Sequence, residues 1–244
     1  MQKIITFCSG KGGVGKSTVA CCVAAAIVCR GRRVLLVDAD QGLTGLDLLL
    51  GMQTPPIFDI CDLNGRVCDC NSVIFPCEQL AGLNLASVSL SSDKACSADA
   101  LRRFCRIFSG QFDYIIIDAS AGLGSGFEAA VRAAQEVAVL CTPEATSIRA
   151  AAKTAAAVDA LGIKSRLIIN KYDSKLARTN GVPNVDRIID TVGSRLLGVV
   201  PADREFAKLS ESGVLKLPRR AVSVEAFYNI AARICGCDVP LAKF

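Results

Sequence analysis

Short apolar runs alternate with longer segments of mixed character along almost the whole chain. The apolar runs are rich in Val, Ile and Leu, and we predict strands at residues 4–8, 34–37, 83–87, 114–117, 137–141, 166–169 and 197–200. Helical spacing between them predicts helices at 16–30, 98–109, 125–134, 146–161, 184–191 and 224–235. Residues 52–80 are the least regular stretch, where we expect a surface insertion. The alternation predicts a three-layer α/β/α fold with a mostly parallel central sheet.

The loop after the first predicted strand carries the most specific motif in the chain. It reads Gly10-Lys11-Gly12-Gly13-Val14-Gly15-Lys16-Ser17, the Gly-x4-Gly-Lys-Ser spacing of a P-loop, in the required strand–loop–helix context. Glycines let backbone N–H groups approach phosphate oxygens, and the helix N-terminus attracts anions. In such a loop Lys16 bridges the β- and γ-phosphates and Ser17 binds Mg²⁺. We therefore predict a P-loop NTPase with a nucleotide site from Gly10 to Thr18; a glycine-rich turn that binds nothing is the alternative.

Two predicted strands end in carboxylates. Asp38-Ala39-Asp40 follows the strand at 34–37, and Asp118 follows the strand at 114–117. The carboxyl ends of parallel strands form the ligand-binding edge of an α/β sheet, so these side chains are expected beside the P-loop. Asp118 is then predicted to hold Mg²⁺ near Ser17, and one carboxylate can bind metal while another orients the attacking water. The alternative for each aspartate is a helix N-cap or a solvated strand end.

The composition restricts the chemistry further. The 244 residues suit one domain spanning 1–244, and 51% hydrophobic residues supply a sizeable core. The chain contains no histidine, which excludes Ser/His/Asp and Cys/His catalysis and leaves carboxylates, lysines and Mg²⁺. A net charge of +5 permits weak attraction to nucleic acid or anionic membranes without requiring it.

Thirteen cysteines are many for this length. Those inside apolar runs are predicted to be small core residues: Cys8, Cys21, Cys22, Cys29 and Cys141. The densest group consists of Cys61, Cys68, Cys70 and Cys77, and its spacing matches no usual zinc or iron–sulfur motif. We interpret this group, with Cys235 and Cys237, as reduced thiols of a cytoplasmic protein; a metal site is the alternative.

The motifs in this order resemble the deviant Walker A ATPases of the MinD/ParA family, and within it the MinD branch. The resemblance is carried by the loop from Lys11 to Ser17, by Asp38-Ala39-Asp40-Gln41-Gly42-Leu43 and by Asp118-Ala119-Ser120-Ala121-Gly122. It continues through Leu46-Asp47-Leu48-Leu49-Leu50-Gly51, Thr142-Pro143-Glu144, Ile168-Ile169-Asn170-Lys171 and Gly198-Val199-Val200-Pro201-Ala202-Asp203. It therefore covers nearly the whole chain.

The resemblance implies an ATP- and Mg²⁺-dependent switch of cell-division site placement that alternates between a monomer and an ATP-bound homodimer. Regulatory protein partners would act on it, and ATP hydrolysis to ADP and phosphate would be slow without them. Lys11 matches the signature lysine, which reaches the nucleotide of the other subunit. Such a lysine neutralises phosphate charge only when two subunits meet, which couples assembly to hydrolysis.

The remaining site residues are carried over by the same resemblance. Lys16 and Ser17 match the phosphate-binding lysine and the Mg²⁺ ligand. Asp118 matches the Walker B carboxylate. Asp40 matches the residue that places the hydrolytic water, and it is counted with Ser17 and Asp118 among the metal-binding residues. Asn170 and Pro201 match positions near adenine.

Two departures from the family pattern concern a loop and the C-terminal tail. Ser120 replaces a proline of the family, so we expect a less stiff γ-phosphate-sensing loop at 119–122. Membrane-binding members add an amphipathic helix after the last core helix. Here the apolar stripe of the helix at 224–235 is assigned to the core, and the proline and aspartate after it make a poor interfacial helix. A peripheral position at the inner face of the membrane is the alternative to a purely cytoplasmic one.

Other function classes remain as alternatives. A ParA-like partition ATPase would bind DNA non-specifically through arginines such as Arg30, Arg32, Arg33, Arg102, Arg103, Arg106, Arg219 and Arg220. Such clusters are more often solvated faces. A flagellar-placement regulator shares the same motifs. A metal-cluster carrier would explain the cysteine count but lacks a CxxC pair, and the Lys11 pattern disfavours a metabolic amide ligase.

Overall fold

The order of the strands places the P-loop strand near the middle of the sheet. The structure is a computed structural model, and it describes residues 2–40, 45–54, 56–90, 96–179, 181–203 and 222–242. Its strands are β1 (Lys3–Cys8), β2 (Val34–Ala39), β3 (Phe75–Pro76), β4 (Leu83–Ser87), β5 (Tyr114–Ala119), β6 (Glu136–Cys141), β7 (Lys164–Tyr172) and β8 (Arg195–Pro201). They form one sheet in the order β3-β4-β2-β5-β1-β6-β7-β8. Only the β3–β4 pairing is antiparallel among these strands, so the predicted α/β fold with a mostly parallel sheet is confirmed.

Helices cover both faces of the sheet. The described helices are α1 (Lys16–Val28), α2 (Leu46–Leu49), α3 (Ile60–Asn64), α4 (Ala98–Ile107), α5 (Ser125–Ala133), α6 (Ala145–Ala160), α7 (Ser174–Arg178), α8 (Val185–Val192) and α9 (Val222–Ile234). One apolar core lies under α1 and α9, and the other lies under α4, α5, α6 and α8. The longer helices were predicted within a few residues. The short α2, α3 and α7 were missed, because four or five residues show no periodicity.

The segment predicted as a surface insertion instead closes one edge of the sheet. Asp59 begins α3 with a capping box: its carboxylate accepts from the Asp62 N–H, and the Asp62 carboxylate accepts from the Asp59 N–H. Pro76 lies in the edge strand β3, where a residue without an N–H group is tolerated. Ile60 and Val73 are fully buried in the core. The segment therefore contributes an edge strand and core residues, which the prediction of a surface insertion did not include.

The last helix packs inward, as its apolar stripe predicted. Phe227, Ile230 and Ala231 of α9 are almost completely buried against α1 and β8. A side chain at Gly198 would collide with Ile230, so this glycine lets α9 lie directly on the strand. Within the described ranges, no helix has the length and apolar character needed to cross a membrane.

The cysteines are free thiols in several environments. Cys8, Cys21, Cys22 and Cys141 are buried, as predicted. Cys29 is exposed, because α1 ends just before it; its predicted place in the core was wrong. In the part of the chain that the structure describes, no three His, Cys, Asp or Glu side chains are grouped to hold a metal ion.

Candidate nucleotide site

The P-loop joins β1 to α1 in a conformation that glycine makes accessible. Gly13 and Gly15 have φ angles of 78° and 86°, in the left-handed region that residues with a Cβ atom disfavour. Gly15 lies at the N-cap of α1, and no side chain caps this helix end. The first N–H groups of α1 and its dipole are therefore directed at the loop, which makes an anion site.

Two residues at the end of β7 hold the P-loop by hydrogen bonds. Asn170 is 7% exposed and its Nδ2 donates to the Val14 carbonyl oxygen at 2.8 Å, while the Lys171 Nζ donates to the Gly13 carbonyl oxygen at 3.1 Å. A Cβ atom on Gly15 would lie 2.5 Å from the Asn170 Nδ2. Asn170 thus has a loop-holding contact that sequence reasoning missed, because nothing in the sequence links positions so far apart.

Pro201, the other residue that the resemblance placed near adenine, lies at the same edge. It ends β8 and pairs with Tyr172 of β7 in the ladder. The Ala202 N–H donates to the Tyr172 carbonyl oxygen at 2.9 Å, which joins the ends of the two strands. Contact of Asn170 and Pro201 with adenine stays a prediction.

A buried ion pair lies at the centre of the site. The Lys16 Nζ is 2.5 Å from the Asp118 Oδ1, and the two side chains are only 8% and 2% exposed. The pairing is possible because β1 and β5 are neighbours and Phe7 lies beside Asp118 in the ladder. Burial raises the pKa of Asp118, and the charge and hydrogen bond of Lys16 and a hydrogen bond from Ser17 oppose that rise. Lys16, Ser17 and Asp118 therefore meet, as the motifs predicted.

The two aspartates after β2 have different environments. Asp38 is 3% exposed, and its carboxylate accepts from the N–H groups of Asp40, Gly45 and Leu46 at 3.1, 3.0 and 3.2 Å. Burial raises the pKa of Asp38 to about 6, although these hydrogen bonds oppose the rise. Asp38 thus binds the backbone of Asp40 on one side and of Gly45 and Leu46 on the other, a positioning contact that its sequence motif did not reveal.

Asp40 is half-buried at the same edge, and its charge contributes to the raised pKa of Asp118. It therefore lies within electrostatic reach of the Lys16–Asp118 pair. The motif residues Gln41, Gly42 and Leu43, which follow it, lie outside the described residues.

The predicted sensing loop after β5 is attached to its neighbours by hydrogen bonds. The Ser120 hydroxyl donates to the Ala39 carbonyl oxygen at 3.0 Å, and the Gly122 N–H donates to the Ser9 carbonyl oxygen at 2.9 Å. The Ser9 hydroxyl in turn donates to the carbonyl oxygen of Lys11 at 3.1 Å. The loop lacks the proline of the family, but Ser120 supplies a contact that a proline could not.

Lys11 is turned toward α6 of its own chain. Its Nζ is 2.7 Å from the Glu144 Oε2 and 3.2 Å from the Thr146 Oγ1. The Lys11 and Glu144 side chains are 42% and 63% exposed, in contrast to the buried Lys16 pair. Sequence reasoning identified Lys11 but not these two partners.

Two of the arginines considered for DNA binding form ion pairs with nearby aspartates. Arg33 lies 3.6 Å from the carboxylate of Asp113, and Arg102 lies 2.8 Å from that of Asp99. The positions 219 and 220 lie outside the described residues.

A P-loop, a buried lysine–aspartate pair and a mostly parallel sheet together define a P-loop nucleotide-binding protein. The chain belongs to the CobQ/CobB/MinD/ParA nucleotide-binding domain family, whose model matches residues 5–217. The septum site-determining protein MinD of Synechocystis is 34% identical over 100% of this chain and 93% of its own length. This relative favours the MinD branch over the partition ATPases.

Solved structures of MinD proteins share the fold. In the MinC:MinD cell division protein complex of Aquifex aeolicus, the matching chain is 25% identical, with a TM-score of 0.91 over 99% of both chains. The septum site-determining protein MinD of Pyrococcus horikoshii, complexed with Mg-ADP, is 24% identical, with a TM-score of 0.85 over 96% of both chains.

Proposed function

We propose that the chain is a Mg²⁺- and ATP-dependent dimerisation switch that regulates the placement of the cell-division site. The observation that carries the proposal is the meeting of Lys16, Ser17 and Asp118 beside a P-loop of suitable geometry. The likeness to MinD proteins over the whole chain supports the cell-division role.

The residues present fit a nucleotide phosphate chain. Gly13 and Gly15 adopt the left-handed backbone conformation of the loop, and the uncapped N-terminus of α1 supplies N–H donors. The phosphate-binding set comprises Gly10, Lys11, Gly12, Gly13, Val14, Gly15, Lys16, Ser17 and Thr18. Lys16 would exchange its contact with Asp118 for the β- and γ-phosphates, which also carry negative charge.

The hydroxyl and carboxylates fit magnesium. Ser17, Asp118 and Asp40 supply hard oxygen donors, the type that Mg²⁺ prefers. When bound, the ion would neutralise charge on the phosphate oxygens. Asp40 would hold the attacking water by hydrogen bonding, and Asp118, which is buried, would keep the Ser17 hydroxyl in place.

Formation of a homodimer would complete the site of ATP hydrolysis. Lys11 would contact the nucleotide of a second copy, so that full charge neutralisation requires a homodimer. A protein partner would then accelerate a slow basal ATPase; the Aquifex aeolicus relative was solved in a complex named MinC:MinD. The protein would work in the cytoplasm or peripherally at the inner face of the cell membrane.

Measuring the size of the protein with ADP, with ATP and with ATP plus anionic liposomes tests the proposal. We expect a monomer with ADP and a dimer with ATP. Lys16→Ala should lose ATP binding, whereas Lys11→Ala should bind ATP and stay monomeric. Unchanged ATP affinity in Lys16→Ala contradicts the site, and ATP-dependent dimers of Lys11→Ala contradict the role in trans. Co-sedimentation with the liposomes decides whether a membrane takes part.

A further inference from the structure

The contact between Lys11 and α6 holds a lysine at a helix end that would otherwise repel it. Lys11 lies at the N-terminal end of α6, where the helix dipole is positive. Glu144, at the N-cap position of α6, provides a carboxylate oxygen at 2.7 Å, and Thr146 in the first turn provides a hydroxyl at 3.2 Å. These two side chains therefore account for the position of the ammonium group.

Glu144 also has a second cation within electrostatic reach. The hydrogen bond and charge of Lys11 lower the pKa of Glu144, and the charge of Lys171 lowers it further. Lys171 is itself attached to the loop through the Gly13 carbonyl oxygen at 3.1 Å. If Lys11 leaves, the Glu144 carboxylate still lies within electrostatic reach of Lys171, so its negative charge keeps a cation nearby.

The exposure of the contact makes it reversible. Lys11 and Glu144 are 42% and 63% exposed, so water can replace each partner, and exposed ion pairs are individually weak. The Lys16 pair beside it is almost fully buried and cannot exchange in this way without a replacement charge. Lys16 is thus held more strongly than Lys11, although both belong to the same loop.

We propose that Glu144, aided by Thr146, retains Lys11 within its own subunit and so sets the concentration at which the ATP-bound protein dimerises. This inference rests on the proposed function, in which Lys11 contacts the nucleotide of the other subunit. Every dimer then requires two such contacts to open. Glu144 is a positioning residue in this scheme, because it acts through Lys11.

The test compares dimerisation of Glu144→Gln and the wild type with Mg²⁺ and a non-hydrolysable ATP analogue, by light scattering over a range of protein concentrations. Because exposed ion pairs are weak, we expect the loss of this pair to favour dimerisation about two- to fivefold per subunit. With two subunits, the dimer dissociation constant should be about four- to 25-fold lower. Affinity of the monomer for the analogue and the unfolding midpoint should not change. Thr146→Val should shift dimerisation in the same direction by a smaller factor.

Glu128→Gln is the matched control. Glu128 forms a pair of the same 2.7 Å length with Arg132 on α5, and it is 54% exposed. This variant should dimerise like the wild type. In a Lys11→Ala background, Glu144→Gln should not increase dimerisation, because the lysine that this substitution would release is absent.

Two outcomes overturn the inference while leaving the proposed function intact. In both, the wild type dimerises with the analogue, and Glu144→Gln dimerises either at the same concentration or only at a higher one. The second result would place Glu144 in the dimer contact itself. A wild type that binds the analogue but never dimerises would instead refute the proposed function.

Discussion

Replacing Lys16 by methionine should destabilise the nucleotide-free protein much more than the same replacement at Lys11. The Lys16 Nζ lies 2.5 Å from the Asp118 Oδ1, and the side chains are 8% and 2% exposed. Removal of one partner of a buried ion pair typically costs about 3–5 kcal/mol, because the other charge remains buried without compensation. Lys11 has a similar contact with Glu144 but is 42% exposed, so its loss leaves both groups hydrated.

Urea unfolding followed by circular dichroism measures this difference. With a slope of about 3 kcal/mol per M, the loss lowers the midpoint of Lys16→Met by about 1–1.7 M, and Lys11→Met should show no resolvable shift. The double variant Lys16→Met/Asp118→Asn should lose less than the sum of the single variants, because the two residues interact.

The pH dependence of Lys16→Met provides an independent check. Without the ammonium, Asp118 loses the main influence that opposes the effect of burial, so its pKa rises further and protonation at low pH relieves the penalty. The difference from the wild type should therefore be smaller at pH 5 than at pH 8. Equal midpoints for Lys16→Met and Lys11→Met at pH 8 would contradict this prediction, because they would mean that burial does not increase the cost of losing the pair.

Two further predictions concern the P-loop and Asp38. Gly15→Ala should destabilise the fold by about 1–2 kcal/mol and weaken ATP binding at least about tenfold, because φ is 86° and the new Cβ atom would lie 2.5 Å from the Asn170 Nδ2. Gly12→Ala, where a Cβ atom has nothing within 4 Å, should keep the wild-type unfolding midpoint, and equal loss in both variants would contradict the geometry. Asp38 has its pKa raised from 3.8 to about 6, so the folded state holds the proton more tightly. Its contribution to the free energy of unfolding should fall by about 2 kcal/mol as the pH rises from 4 to 6.5, and Asp38→Asn, compared in urea, should lack this fall.

The P-loop and most of the regular elements could be predicted because their signals are local. A run of apolar residues, a helical period and the spacing from Gly10 to Ser17 each act within one stretch of chain. The carboxylates at Asp38 and Asp118 were also predictable, since strands of a parallel sheet end at a common edge. Local sequence patterns are therefore enough to predict the class of fold and the residues of the candidate nucleotide site.

The partners of these residues depended on the tertiary structure. Lys11 and Glu144 are 133 positions apart, and Asn170 and Val14 are 156 apart, so no local pattern links them. Their contacts arise because the strand order places β6 beside β1 and β7 beside β6, which brings distant strand ends to one edge.

Tertiary packing also decided the different strengths of the two lysine contacts. Both lysines are equally charged in the sequence, but only Lys16 reaches the buried carboxyl end of β5, where its partner Asp118 is 2% exposed. Lys11 stays at the loop surface, where water competes for its contacts. Burial is a property of the assembled fold, and it determines which ion pair stabilises the protein and which one can open.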